Sequence, residues 1–137
     1  MKRLYTICYV SKASLHLTND SVRDIFKFTE QANNASGTSG ILLHSFGNFF
    51  QVLEGEKKKL EHLYEDKIMN DTRHSNIYEV FRKDMETPIF SNYLSQFQTI
   101  TTSIQLDEIR KYLNSNRTNS TSEKLSRLLK PFMIFDY

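Results

Sequence analysis

Tryptophan is missing from the 137 residues, and Cys8 is the only cysteine. A lone thiol excludes both a disulfide framework and a cysteine-based metal cluster. The histidines His16, His44, His62 and His74 contain no His-x-x-x-His pair, so a zinc site is not expected. Neither sign of charge is in real surplus. The 18 basic and 16 acidic residues leave +2, too little to draw the chain to nucleic acid or an anionic membrane. Long apolar runs are absent as well: the run after Met1-Lys2-Arg3 is short and broken by Thr6 and Ser11, which makes neither a signal peptide nor a membrane span. Asn-x-Ser/Thr matches such as Asn70-Asp71-Thr72 then have no reason to carry a glycan, and a cytoplasmic location is expected. Glycine-rich Rossmann and P-loop patterns are absent, and no internal repeat is visible.

What is present is ordinary globular composition, 39% hydrophobic and 25% charged, at a length suited to one domain with its own core. Residues 3–11 read as a strand rich in β-branched and aromatic side chains. Period-two geometry puts Tyr5, Ile7, Tyr9 and Ser11 on one face and Leu4, Thr6, Cys8 and Val10 on the other. Neither face is charged, so the strand is expected to be central. A helix follows from about Ser21, capped by Asp20 or Ser21, with Val22, Ile25, Phe26, Thr29 and Asn33 on one stripe.

Ser36-Gly37-Thr38-Ser39-Gly40 is turn chemistry, and residues 41–44 and 49–53 read as a hairpin around Ser45-Phe46-Gly47-Asn48. A second helix over 56–70 turns Leu60, Leu63, Tyr64 and Ile68 inward. Strands at 77–82 and 96–101 flank a loop containing Pro88. Two short amphipathic helices, 104–113 and 122–129, complete the chain, joined by a polar connector. The fold class is therefore α+β: a ferredoxin-like β-α-β-β-α-β-β sheet with two helices on one face and a two-helix C-terminal cap on the other. Residues 1–102 form the sheet domain and 103–137 the cap. Leu125, Leu128, Leu129 and Phe132 make the last helix apolar along one side, with Pro131 limiting its length. That stripe suits either sheet cover or self-association.

Three polar residues fall on otherwise apolar faces. Tyr9 follows Ile7, Gln51 lies between Phe49 and Leu53, and Asn33 ends the stripe of the first helix. Buried phenols and carboxamides need hydrogen-bond partners, which would be each other or a bound polar ligand. An exposed Gln51 on an edge strand is the remaining alternative.

Leu4-Tyr5-Thr6-Ile7-Cys8-Tyr9-Val10-Ser11 resembles the first strand of BLUF domains, the flavin-binding blue-light sensors. Asn33 with Gly37-Thr38-Ser39-Gly40, the segment Phe49-Phe50-Gln51-Val52-Leu53-Glu54-Gly55-Glu56, and Asp71-Thr72-Arg73-His74 are similar to further BLUF motifs, in order, over about residues 3–100. The resemblance implies an isoalloxazine ring between the two helices, with FAD as the cofactor and FMN or riboflavin as alternatives. It implies Tyr9 as electron and proton donor, and Gln51 as a bridge that changes orientation or tautomer. Asn33 would bond the polar edge of the ring, with Ser11 and Asn34 as weaker candidates. Arg73 and His74 would contact the ring edge or the ribityl-phosphate side, or else form a solvated helix terminus. Asn34 is about 100° further round the helix than Asn33, the poorer position for one pocket.

One motif departs. BLUF domains carry Trp-x-Met three residues after a Phe. Here Phe90 leads to Tyr93 and Ser95, so no tryptophan switch exists and the signalling step is the part in doubt. The resemblance implies a sensor, not an enzyme, that signals through protein contacts. The cap helices would bind a downstream regulator or a second copy. Two other readings compete: an RNA-binding module with Tyr5 and Phe49 or Phe50 as stacking residues, and a flavin-free interaction domain. Lys57-Lys58-Lys59 reads as a solvated face, and Cys8 as a packing residue.

Overall fold

The computed structural model describes residues 3–90, 97–115 and 120–135. Five strands form one mixed sheet: β1 (Leu4–Ala13), β2 (Ser39–Ser45), β3 (Asn48–Glu56), β4 (His74–Asp84) and β5 (Phe97–Ile100), in the spatial order β4-β1-β3-β2-β5. The uncharged β1 is flanked by antiparallel partners on both sides, β3 and β4, as its two apolar faces require. β2 and β3 form the expected hairpin. Its two-residue turn has positive φ at both Phe46 (49°) and Gly47 (76°), the pairing that matches strand twist. β5 runs parallel to β2.

Helix α1 (Asn19–Ser36) starts earlier than its apolar stripe suggests. Thr18, not Asp20 or Ser21, is the cap, and its hydroxyl accepts from the Ser21 N–H at 3.1 Å. Four residues able to cap follow one another here, and the first with extended backbone takes the role; such a cap is worth about 1 kcal/mol. Gly37, left-handed at φ 75°, ends the helix and donates its N–H to the carbonyls of Asn33 and Asn34. Gly40 is held by a different constraint. With φ of 140°, a Cβ there would lie 1.9 Å from the Val52 carbonyl oxygen, so only glycine permits the β2–β3 approach.

The second helix is split. α2 (Lys57–His62) is regular, and Leu63–Ile68 continues it as a wider π turn, closed by Met69 N–H donating to Tyr64 O at 2.9 Å. β4 then begins at His74, earlier than the 77–82 expected, which makes His74 a strand residue instead of part of a helix terminus.

The sheet is covered on both faces. Under α1 and α2 lie Tyr5, Ile7, Tyr9, Leu42, Phe49 and Leu53 of the sheet, packed with Phe26 of α1 and Leu60 of α2. On the other face α3 (Ser103–Ser115) and α4 (Ser120–Phe135) bury Leu106, Ile109, Leu113, Leu125 and Leu129 against Cys8, Ile41, Phe50 and Val52. Leu125 and Leu129 are fully buried there, and Leu128 and Phe132 are partly buried against the same core. The apolar stripe of the last helix is thus largely occupied by its own sheet. Pro131 does not end that helix, which runs through it to Phe135.

Glu54 stands on this second face, 3% exposed, where its carboxylate accepts the N–H groups of Ile89 (2.6 Å) and Phe90 (3.0 Å). Burial raises its pKa, partly offset by those two donors. Tyr112 of α3 donates to the Ile89 carbonyl at 2.7 Å, so the 86–90 loop is held from strand and cap at once. Among the described residues, no helix is long and apolar enough to cross a membrane.

Candidate functional site

Register places Tyr9 and Gln51 directly opposite one another across β1 and β3, and Leu42 opposite Gln51 across β2 and β3. All three therefore share the face beneath α1 and the π turn. Gln51 Nε2 donates to the Tyr9 phenol oxygen at 2.5 Å, with both residues 4% exposed. Gln51 Oε1 is buried and has no hydrogen-bond partner among the described residues. Such a carboxamide oxygen costs about 1–3 kcal/mol until something donates to it. Burial pushes the Tyr9 pKa well above the ordinary phenol value, and the Gln51 donor only partly reverses this. Tyr9 accordingly keeps its proton throughout the physiological range.

A cleft opens over this pair, with about 750 Å³ of free space including its mouth. Tyr9, Leu42, Phe49 and Gln51 form its floor. Ile25, Phe28, Thr29, Ala32 and Asn33 of α1 form one wall, and Leu63, Lys67 and Ile68 of the π turn the other, with Asp71, Arg73 and His74 beyond. Asn33 is 5% exposed, as its place on the apolar stripe requires. Mostly apolar walls with a few convergent polar groups suit a flat heteroaromatic ligand. The π turn was not legible in the sequence, because Leu60, Leu63, Tyr64 and Ile68 satisfy ordinary helical spacing too. It tucks Tyr64 against Tyr9, ring centroids 5.6 Å apart, while Leu63, Lys67 and Ile68 face the cleft.

The remaining candidates divide by position. Ser11 is not part of the wall; its hydroxyl is 2.7 Å from His74 Nδ1, and His74 Nε2 donates to the Ile68 carbonyl at 2.7 Å. That donation fixes the neutral ring as the Nε2–H tautomer, with Ser11 donating to Nδ1. Both ring nitrogens are thus used within the protein, and His74 presents only its ring to the cleft, 6.1 Å from the Tyr9 ring. Arg73 lines the cleft but is clamped by Asp71, Nε lying 2.9 Å from Oδ1 and 3.1 Å from Oδ2. The guanidinium holds the Asp71 carboxyl below the usual carboxylate range. Asn34 turns away from the cleft. It accepts from Phe97 N–H at 2.9 Å and donates to Phe97 O at 3.3 Å, tying α1 to β5. Tyr93 and Ser95 lie outside the described residues.

Two further readings meet plain geometry. Tyr5 and Phe50 are 7% and 1% exposed beneath helices on opposite faces, and Phe49, 5% exposed, reaches only the cleft floor, so the three form no shared open surface for stacking bases. Lys57 pairs with Glu61 at 3.5 Å and covers the Tyr5 ring, apart from the cleft, and Lys58 and Lys59 are exposed. Burial lifts the Cys8 thiol to about 12, which leaves it an inert packing group. Among the described residues no cluster of three His, Cys, Asp or Glu side chains could hold a metal.

A family model described as "BLUF: Sensors of blue-light using FAD" matches residues 4–96. The chain belongs to the BLUF family. Among solved structures, the BLUF domain of Klebsiella pneumoniae BlrP1 is 25% identical with a TM-score of 0.75, covering 97% of this chain and 91% of that one. BlsA in its photo-activated state is 25% identical with a TM-score of 0.68, covering 92% and 94%. Among curated proteins, the photoactivated adenylate cyclase subunit alpha of Euglena gracilis is 30% identical over 92 residues, 67% of this chain and 9% of that protein. The chain thus spans about a tenth of the length of the curated relatives it matches. Within the BLUF fold, the cleft between α1 and the π turn fits a flavin on this chain's own evidence. An isoalloxazine has an apolar end and an edge of N–H and C=O groups, and the lining offers apolar walls, the Asn33 carboxamide and the partnerless Gln51 oxygen.

Proposed function

We propose that this chain is a blue-light receptor in which flavin, as FAD, occupies the cleft, Tyr9 is the electron and proton donor, and Gln51 is the group that reorients. The observation that carries the reading is the buried Gln51–Tyr9 hydrogen bond with one carboxamide atom left without a partner. Asn33 and Gln51 would hold the polar edge of the ring, Ile25, Leu63 and Ile68 its apolar faces, and Arg73 and Lys67 the outer end. When bound, the flavin would supply absorption of blue light and an acceptor for the one electron and the one proton that Tyr9 gives up.

The residues of the chain supply the rest. A protonated phenol both donates and accepts a hydrogen bond, so it can meet either end of the Gln51 carboxamide. Once Tyr9 has given up an electron and its O–H proton, its oxygen only accepts, and only the Gln51 N–H end can satisfy it. The N–H end already meets Tyr9 in the structure, so loss of the proton pins that position, and the carboxamide turns only when the proton returns and Tyr9 can donate to Oε1. Each position leaves the other carboxamide atom free for the ring. His74, fixed by Ser11 and the Ile68 carbonyl, sets its ring 6.1 Å from that of Tyr9. Gln51 lies on β3, the strand that also carries Glu54, so the 86–90 loop and the cap are the route by which a partner protein, or a second copy at α3 and α4, would read the change.

Difference spectra, dark against blue-lit, test the assignment. Tyr9→Phe and Gln51→Leu should both bind flavin and stay yellow, yet lose the light-induced red shift. A normal red shift in Tyr9→Phe would show that another residue does the chemistry.

A further inference from the structure

Two ammonium groups sit over one aromatic ring at the β4 edge of the sheet. Phe81 of β4 stands opposite Cys8, so its side chain joins the cap face and packs, partly buried, against the core there. Lys83, two residues further along the strand and on the same face, places Nζ 5.3 Å from the centre of that ring. Lys124 of α4 places its own 5.2 Å from it. Neither lysine forms an ion pair among the described residues. The acids of β4 are engaged elsewhere, Asp84 with Arg3 and Glu79 beside Arg82. α4 adds Arg127 and Lys130, both exposed, against Glu123 alone. Each ammonium lies well inside a Debye length, roughly 8 Å, of the shared ring, so an anion docked there meets both. Val80, Met85 and Leu128, partly buried on the same face, leave apolar surface beside the cations.

We propose that the seam between β4 and α4 docks an acidic segment of a partner protein. Its carboxylates would meet Lys83 and Lys124, and an apolar neighbour would rest against Val80, Phe81 and Leu128. A nucleic acid or an anionic membrane is held by a broad surplus of positive charge, which a chain of net charge +2 lacks. Two cations beside an apolar strip fit a short acidic and apolar motif instead. The inference rests on the reading of the cap side as the one a partner meets, and it names that partner's chemistry.

The test titrates the full-length protein in the dark, by calorimetry, with a short synthetic peptide of glutamates around a single leucine. The wild type should bind it, and should not bind the same peptide with glutamine for glutamate. Lys83→Gln and Lys124→Gln should each weaken binding about three- to fivefold, and together about tenfold or more. Lys58→Gln/Lys59→Gln removes the same charge from exposed lysines of α2 and should leave binding unchanged. An equal loss in that control would overturn the site, because net charge alone would then carry the binding. No binding of the glutamate peptide would overturn it too. If single-stranded RNA, phosphatidylserine vesicles or a second copy of the chain bound at the same lysines, the seam would belong to that occupant instead. The dark titration is separate from the light reaction: a wild type without a red shift would strike the photochemical reading alone, and a wild type without peptide binding the docking surface alone.

Discussion

Replacing Tyr9 and Gln51 singly and together in the flavin-free protein should give a strongly non-additive stability pattern. Tyr9→Phe removes the one side-chain hydrogen-bond partner that Gln51 has among the described residues and leaves both ends of a 4%-exposed carboxamide without one there. The expected cost is about 1–3 kcal/mol. Gln51→Leu has two opposed effects. It leaves the Tyr9 hydroxyl without its donor, but it also removes the buried Oε1 that already lacks a partner, so its stability should stay within about 1 kcal/mol of wild type. The double variant leaves an apolar pair with nothing unsatisfied and should match or exceed wild type. A coupling of about 1–3 kcal/mol between the sites follows. Urea melts at neutral pH on protein stripped of flavin would measure it; each kcal/mol also corresponds to about 3–5 °C in Tm for a domain of this size. A double variant as unstable as the sum of the singles would refute the reasoning.

Gly40→Ala should cost more than about 3 kcal/mol and lower Tm sharply, since the added Cβ meets the Val52 carbonyl at 1.9 Å and the backbone has φ of 140°; a wild-type melting curve would count against the observed β2–β3 approach. Burial raises the pKa of Glu54 in the folded state above its unfolded value of about 4.3, so the native state holds that proton more tightly. The stability of wild type relative to Glu54→Gln should therefore be greatest below the ordinary glutamate range and fall as pH rises through the folded pKa, as urea melts from pH 4 to 7 would show; a flat difference would refute this. Leu129→Ala, at a fully buried cap position, should cost about 2–5 kcal/mol by thermal denaturation, and a change below about 0.5 kcal/mol would mean the cap is not part of the core.

The strand plan and the floor of the cleft were legible because period-two alternation is strict in β1 and β3: Tyr9 and Gln51 each follow an apolar residue on the same face. The short turn of the β2–β3 hairpin fixed Leu42 opposite Gln51, whereas the Tyr9–Gln51 pairing is a β1–β3 register that no turn sets. The burial of Asn33 was legible from helical spacing, and the 100° offset separates it from Asn34, whose side chain bonds the Phe97 backbone. What the sequence hid is of another kind. The partners of Glu54 are backbone N–H groups 35 and 36 residues away, which leave no mark in residue type. The Ser11–His74 contact spans 63 residues and depends on where β4 begins. The π turn is a response of the second helix to what it packs on, with no glycine or proline to announce it. Phe28 was passed over because a lone exposed aromatic breaks the apolar stripe instead of joining it.

The position of β1 at the middle of the sheet has a consequence for how the chain assembles. β1 precedes both of its partners, at residues 48–56 and 74–84, so one edge stays open until β3 has been made and the other until β4 has. Its run from Tyr5 to Val10 has no charge and no proline, the composition of a segment that pairs readily with copies of itself. Distant pairing of this kind slows folding relative to a chain of local contacts. The interval before β4 emerges is therefore when nascent chains are most exposed to one another. Expression yield should respond more to temperature and chaperone supply than to any change in the finished structure.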